Sequence, residues 1–516
     1  MTATLPEIES APLVSPPRTD EPWRTRLLPL IGGGGWLATG GIGLFAGLLR
    51  FLRLDIPRGK IFDEIYYACD AQNLVRFGVE QGTKAGPLCE PNGQPGFIVH
   101  PPVGKWLIGL GEKTFGINEF GWRFSAAVFG TLTVIVLVRM TRRMTGSTLL
   151  GCLAGVLLAL DGLHFVQSRT SMLDIFLCFF ITATFACLVI DRDQVRTRLS
   201  QADDDELFGA GPRLGRRRWL ILAGVSMGLA ISTKWSALFY LAPLLLLAYV
   251  WEVGARRTAG VASPWRATVR RSMVPLLLVF IVLPSALYVL SWTGWFLSDN
   301  GYDRQYATPE NATYGFLPEG LRSWWQYHRE MFGFHDNLAS KHPYQSHPLG
   351  WLTLARPVSY YYPGTIGPGR YGCQVANCSR EVLAIGTPAI WWASIPMLFG
   401  SFWLWVSRRD WRGLAVVVMV LTAILPWIPS DLNKRTMFLF YALPAVPFMC
   451  LGLALCAGWI LGGRDATPRR RRIGAAIVGS YVVLVIVNFA YLYPVLAAQA
   501  LPYDVWKARM WFTSWI

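Results

Sequence analysis

RRRWLILAGVSMGLAISTKWSALFYLAPLLLLAYVWEVGARR, residues 216–257, decides how the rest of the chain is read. It holds two apolar windows, 219–234 and 236–252, each near the roughly 20 residues a helix needs to cross hydrocarbon. Arginines stand at both outer ends, and a single Lys234 stands at the turn between them. Backbone cannot stay unpaired in lipid, so both windows are expected to be helices joined as a hairpin. Lys and Arg in short loops mark the cytoplasmic side. The two arginine-rich ends therefore belong inside and Lys234 outside.

Working outward, similar windows occur at 28–50, 121–138, 148–166, 171–190, 273–296, 386–407, 411–428, 436–460 and 473–495. The expectation is an all-α polytopic membrane protein with about eleven transmembrane helices. Composition agrees: 53% of the 516 residues are hydrophobic and 16% are charged, against about 25% charged in soluble domains. That excludes a disordered chain, a disulfide-rich miniprotein and an ordinary cytosolic enzyme. The net charge of +16, from 48 basic and 32 acidic residues, would suggest nucleic acid on a soluble chain. Here about half of the basic residues fall in the loops 139–145, 191–218, 253–271, 407–412 and 462–472. These loops are read as cytoplasmic, which sets the N-terminus inside and the C-terminus outside and leaves no need for a nucleic-acid partner.

The resulting division is a disordered cytoplasmic tail at 1–27 and a membrane module at 28–296 with an external loop at 51–120. A large external loop at 297–385, a second membrane module at 386–495 and an external tail at 496–516 complete it. The polar stretch before the first window does not read as a cleaved secretory signal.

Basic residues on the outer side run against the topology rule, and these are Lys105, Arg123, Arg169, Lys234, Lys434 and Arg435. Ionisable groups at membrane depth are costly and point to function. Six cations near one leaflet suggest a bound anion, most simply a lipid phosphate; the plainer alternative is snorkelling to headgroups. In GKIFDEIYYACDAQNLV (59–75), Asp63 and Glu64 stand among aromatics. On a helix, Asp63, Tyr66, Tyr67 and Asp70 would share a face, where a carboxylate beside aromatics can be tuned as a general base. An acidic pair also suits a helix N-terminus. His100-Pro101-Pro102 makes a rigid extended corner presenting His100 and Lys105. Arg169 and Asp174 could form a salt bridge.

The loop SWWQYHREMFGFHDN (323–337) offers Trp324 and Trp325 for stacking on sugar or peptide, or for an interfacial belt. Cys69, Cys89, Cys373 and Cys378 face the oxidising side, which suggests the bridges Cys69–Cys89 and Cys373–Cys378. Cys152, Cys178, Cys187, Cys450 and Cys456 read as small core residues. A sequon at Asn311-Ala312-Thr313 also faces outward.

FDE (62–64), HPPVGK (100–105), WRFSAAVFG (122–130) and SRTSMLD (168–174) occur in that order. They are followed by HPYQSHPLGW (342–351), RPVSYYY (356–362) and LPWIPSDLNKRTMFLFYALPAVPF (425–448). Together the chain resembles the protein O-mannosyltransferases, integral glycosyltransferases of the GT-C type, and looks like an actinobacterial member. It lacks room at 297–385 for the β-trefoil insert of eukaryotic members, so a compact helical or irregular cap is expected there.

The resemblance implies transfer of mannose from polyprenyl monophosphate mannose to Ser or Thr hydroxyls of exported proteins, on the extracytoplasmic face of the cell membrane. It implies Asp63 as the catalytic carboxylate, Glu64 holding the acceptor or the base, and Arg123 on the lipid phosphate. Arg435, Lys434, Lys105, His100, Arg169 and Lys234 are further donor-binding candidates. Tyr66, Asp70, Trp324, Trp325, His342 and Tyr344 are candidates for acceptor or sugar contact.

A polyprenyl phosphate is already an adequate leaving group once cations neutralise it, so no metal or other cofactor is expected. Base and phosphate grip on opposite faces of the sugar would invert its configuration. Membrane lipids and the secretion translocon are further expected partners. Two alternatives stay open: a lipid-linked glycosyltransferase with a glycan or lipid acceptor, and a transporter, which would show internal pseudo-symmetry.

Overall fold

Long apolar runs can satisfy their backbone in hydrocarbon only by coiling, and each of the eleven windows overlaps a helix in the computed structural model. That structure describes residues 22–30, 34–84, 89–308, 315–432, 434–463 and 466–516. Among the described residues, eight helices are long and apolar enough to cross a membrane: Glu119–Thr145, Leu173–Ser200, Trp235–Thr258, Pro264–Ser291, Pro388–Arg408, Trp411–Leu432, Leu439–Leu461 and Pro468–Leu496. Three shorter apolar helices, Trp36–Phe51, Thr148–Ala159 and Arg218–Ile231, account for the remaining windows. The chain is a multi-pass membrane protein.

Burial separates the helices by role. Leu439–Leu461 runs through the middle of the bundle with 83% of its apolar window buried. Pro264–Ser291 and Pro468–Leu496 bury only 22% of theirs. They turn residues such as Val274, Ile281, Ile477 and Val483 outward, as a lipid-facing helix should. Pro264–Ser291 begins nine residues before the apolar window at 273, because Pro264 suits a helix start. Pro275 then removes one backbone donor, and the helix relaxes through a π-turn at Leu278–Val282.

The two membrane modules are joined by buried polar contacts. Asp161 accepts the His164 N–H at 2.9 Å, the Thr387 N–H at 3.2 Å and the Trp391 indole N–H at 2.8 Å. The Thr387 hydroxyl donates to the Leu160 carbonyl at 2.6 Å.

On the side where Lys234 lies, the 51–120 segment folds into helices Glu64–Phe77 and Val103–Phe115 with a short hairpin between them. The second of these helices meets Glu119–Thr145 closely: a Cβ on Gly111 would stand 2.4 Å from the Gly121 carbonyl oxygen. The 297–385 segment contributes helix Glu319–Asp336, the strand pair Val358–Tyr361 with Val382–Ala384, and the strand Cys378–Ser379, which pairs with Leu501–Pro502 near the end of the chain. Disulfides join Cys69 to Cys89 and Cys373 to Cys378.

The reading of 1–27 as disordered is corrected at its end. Residues 22–27 form a helix, whose Arg24 donates to the carbonyls of Ser200 and Ala202, both at 2.8 Å, and to Asp204 at 2.9 Å. Residues 1–21 and the sequon at 311–313 lie outside the described residues.

Candidate active site

Three of the quoted motifs meet around one strained residue. Phe62 holds φ at 49°, a conformation that costs a non-glycine residue energy unless its surroundings impose it. Its ring is stacked at 4.4 Å on Tyr360, with Phe438 and Phe440 edge-on at 6.3 and 5.8 Å. The Gln167 side-chain amide donates to the Tyr360 oxygen at 2.7 Å. These contacts turn the backbone so that Asp63 stands at the cap position of helix Glu64–Phe77 without capping it.

The Asp63 carboxylate is half-buried, and among the described residues it accepts no hydrogen bond. Burial raises its pKa to about 6, against the pull of Lys234 and with a further push from Asp174. Lys234 itself bridges both Asp174 oxygens at 2.8 and 3.0 Å. It also lies 4.8 Å from the centre of the Tyr441 ring.

Glu64, next to Asp63 in sequence, is wholly committed. Its carboxylate accepts Nε–H and Nη2–H of Arg123, both at 2.8 Å, and the backbone N–H groups of Ile61 and Ser171, both at 3.0 Å. The rest of the Arg123 guanidinium donates to the carbonyls of Leu54, Pro57 and Gly59. Both side chains are 0% exposed. The expected Arg123 contact with lipid phosphate is therefore corrected, because its donors are already used inside the protein. Glu64 likewise has no room left for an acceptor.

The same holds for other outward cations. Arg169 donates to the carbonyls of Leu49, Arg50, Leu52 and Arg53, where the end of helix Trp36–Phe51 leaves acceptors unpaired. It does not meet Asp174, which belongs to Lys234. Lys105 is buried between Asp70 at 2.8 Å and Glu80 at 3.7 Å, so its charge is met inside the protein, while Asp70 stays partly exposed beside it.

Tyr66 points away, 61% exposed, while Tyr67 faces inward on the Asp63 side. Trp324 packs into a separate aromatic cluster, with its ring centre 4.1 Å from His328 and 6.4 Å from Trp292, and Trp325 is exposed. His342 does reach the Phe62 cluster, edge-on to Phe438 at 5.0 Å, with its Nδ1 accepting the Tyr344 N–H.

Among the described residues, two of the outward basic residues keep donors to offer. Lys434 is exposed. Arg435 shares the Tyr441 ring with Lys234, at 5.9 Å, and its Nη1 is buried without a partner among the described residues. His100 lies on the same side, its ring 5.0 Å from that of His335 and 6.2 Å from that of Tyr67. Burial, reinforced by the charges of Lys234, His335, Lys105 and Arg435, holds its pKa well below the ordinary histidine range. The imidazole is neutral at pH 7, with no hydrogen bond on either nitrogen among the described residues.

Sequence reading did not single out His335, Tyr441 or Tyr360. The contacts that place them in the site, His335 with Arg435, Tyr441 with Lys234 and Tyr360 with Phe62, span 100, 207 and 298 residues of the chain, and no local spacing announces them. The arrangement combines an open carboxylate titrating near 6 with a cation, Arg435, that shares the Tyr441 ring with Lys234 and keeps a donor unpaired among the described residues. That is the equipment for removing a proton from a hydroxyl while holding a departing anion.

Comparison with known proteins gives a consistent result. Residues 42–295 match the family model described as dolichyl-phosphate-mannose-protein mannosyltransferase. Residues 320–515 match the C-terminal four-transmembrane region of protein-O-mannosyltransferase. The chain is 40% identical over 519 aligned positions to the polyprenol-phosphate-mannose–protein mannosyltransferase of Mycolicibacterium smegmatis (strain MKD8), covering 98% of this chain and 97% of that protein. It is 40% identical to the enzyme of the same name from Mycobacterium tuberculosis (strain H37Rv), over 93% of this chain and 92% of that one. Among solved structures, the Saccharomyces cerevisiae Pmt1–Pmt2 complex bound to the sugar donor superposes with a TM-score of 0.71 at 15% identity. That match covers 98% of this chain and 95% of the yeast one. The chain belongs to the protein O-mannosyltransferase family, membrane glycosyltransferases of the GT-C fold.

Proposed function

We propose that the protein transfers mannose from polyprenyl monophosphate mannose to Ser or Thr hydroxyls of exported proteins, on the extracytoplasmic side of the cell membrane. Asp63 takes the proton of the acceptor hydroxyl as the oxygen attacks the anomeric carbon. The bond between that carbon and the phosphate oxygen breaks, and the polyprenyl phosphate leaves with the electron pair. Arg435 and Lys434 neutralise the departing phosphate, and His100 faces the same space as a neutral hydrogen-bonding group. Attack opposite the leaving group inverts the anomeric centre.

The single observation carrying this reading is the Asp63 carboxylate. It is half-buried, unbonded among the described residues and raised to about 6. The module 28–296 then supplies the base and the module 386–495 the phosphate grip, with the 297–385 loop between them. The donor tail stays in the bilayer, so only its headgroup needs a site. Export through a translocon would present unfolded Ser and Thr segments to this face.

The test is a membrane assay with labelled polyprenyl phosphate mannose, offering a Thr-rich peptide and a glycan acceptor side by side. Label in the peptide supports the proposal. Label in the glycan alone would move the protein to a glycan-acceptor role and overturn it.

A further inference from the structure

Arg435 is held by one edge and left open on the other. Its Nε–H donates to the backbone carbonyl of His335 at 2.9 Å, and its Nη2 faces the His335 ring nitrogen Nδ1 at 3.4 Å. Nε and Nη2 form one side of the planar guanidinium, the geometry in which arginine grips a partner through two parallel donors. Nη1, at the other end, is buried with no partner among the described residues. A buried donor without a partner is costly, a cost that an incoming anion would remove.

The state of the His335 ring makes this grip possible. Its Nε2 lies 2.6 Å from the Val99 carbonyl oxygen. A carbonyl can only accept, so Nε2 carries the proton and neutral Nδ1 is left as an acceptor for Arg435. Burial, opposed by the hydrogen bond to Val99 and reinforced by Arg435 and Lys234, lowers the His335 pKa to about 4. The acceptor lone pair is therefore available at neutral pH.

The neighbouring backbone is tied to the same segment, because the Thr436 N–H donates to the Leu338 carbonyl at 2.8 Å and its hydroxyl donates to the Ser340 carbonyl. Val99 in turn precedes His100, whose ring stacks on His335 at 5.0 Å. One side chain in the last turn of helix Glu319–Asp336 thus links the guanidinium to the His100-Pro101-Pro102 corner.

We propose that His335 is a positioning residue for the transfer reaction. It fixes Arg435 so that the free edge of the guanidinium meets the phosphate of the lipid donor. This rests on the reading of Arg435 as a phosphate grip.

The test uses the full chain in membranes, with polyprenyl monophosphate as the competing anion and donor and peptide varied independently. His335→Phe keeps a ring to stack on His100 but removes both nitrogens. It is expected to raise the donor KM and the inhibition constant of polyprenyl monophosphate about tenfold, with the peptide KM unchanged. His335→Gln, which can both accept and donate, is expected to recover most of that loss. The effects of His335→Phe and Arg435→Gln should be non-additive.

A lowered rate with an unchanged donor KM and inhibition constant, or strict additivity with Arg435→Gln, would overturn the role of His335. If Arg435→Gln alone leaves donor KM and inhibition untouched, the phosphate-grip reading itself fails, and that result is distinguishable from the first. Melting temperatures of the three variants separate misfolding from both, and His335→Gln carries the comparison if His335→Phe does not fold.

Discussion

Arg123 and Glu64 form a fully buried two-point ion pair, with Nε–Oε1 and Nη2–Oε2 both at 2.8 Å. The pair ties the start of helix Glu119–Thr145 to the residue beside Asp63, and its remaining hydrogen-bonding capacity goes to backbone. Asp63 and Glu64 are adjacent acids with opposite assignments: one has no donor among the described residues, the other has four. Removing one partner of such a pair leaves an unpaired buried charge, at a cost of about 3–5 kcal/mol. Arg123→Ala and Glu64→Ala are therefore expected to lose folded protein, measured as yield and melting temperature in detergent. A fully folded, inactive Arg123→Ala would instead return Arg123 to the donor site.

Asp63 should destabilise the fold it serves. Its folded pKa of about 6 lies above the ordinary 3.8, so the folded state binds the proton more tightly than the unfolded one. The penalty is absent well below pH 4, grows as pH rises and is complete above about pH 6. At pH 7 it is on the order of 1–3 kcal/mol, allowing for partial solvent access. Asp63→Asn should raise stability by that amount at pH 7 and by little at pH 4. Equal stabilisation at both pH values would show that the raised pKa is not the cause.

The same titration sets the rate. A base must be unprotonated, so kcat/KM should fall about tenfold per pH unit below pH 6 and level off above it. The profile is measured in membranes with a fixed peptide and subsaturating donor. A plateau extending unchanged to pH 4.5 would disagree with Asp63 as the base.

Arg435 and Lys434 should differ in magnitude. Arg435→Gln removes a buried charged donor and is expected to raise the donor KM about 10–100-fold, leaving the peptide KM unchanged. Lys434 is exposed, so Lys434→Gln should have a several-fold effect that fades as salt is added. Steady-state kinetics at two ionic strengths distinguishes them.

The spans could be read from sequence because each carries its own signature: about 20 apolar residues are a local property. Lys234 could be flagged because a charge at membrane depth is conspicuous wherever its partner lies. The partner could not be read. Asp174 is 60 residues away, and nearby Arg169, which looked like its mate, turns to four backbone carbonyls instead. The general difficulty is that sequence reveals the cost of burying a cation but not what satisfies it. A lipid phosphate, a carboxylate and the end of a helix all serve. Lys105, Arg123 and Arg169 were read as the first and proved to be the second or third. Asp63 was legible as a carboxylate among aromatics. The positive φ of Phe62 that orients it depends on Tyr360 and Phe438, roughly 300 and 375 residues on, and a pattern of short-range spacing carries no trace of that.

The most direct test of the account is to measure donor binding and transfer on the same preparation of Asp63→Asn. Because the amide cannot take up a proton and Arg435, Lys434 and His100 are untouched, labelled polyprenyl phosphate mannose should bind within a few-fold of wild type. Transfer to the peptide should fall about 10²–10⁴-fold. Transfer at the wild-type rate would contradict the assignment of Asp63 as the base.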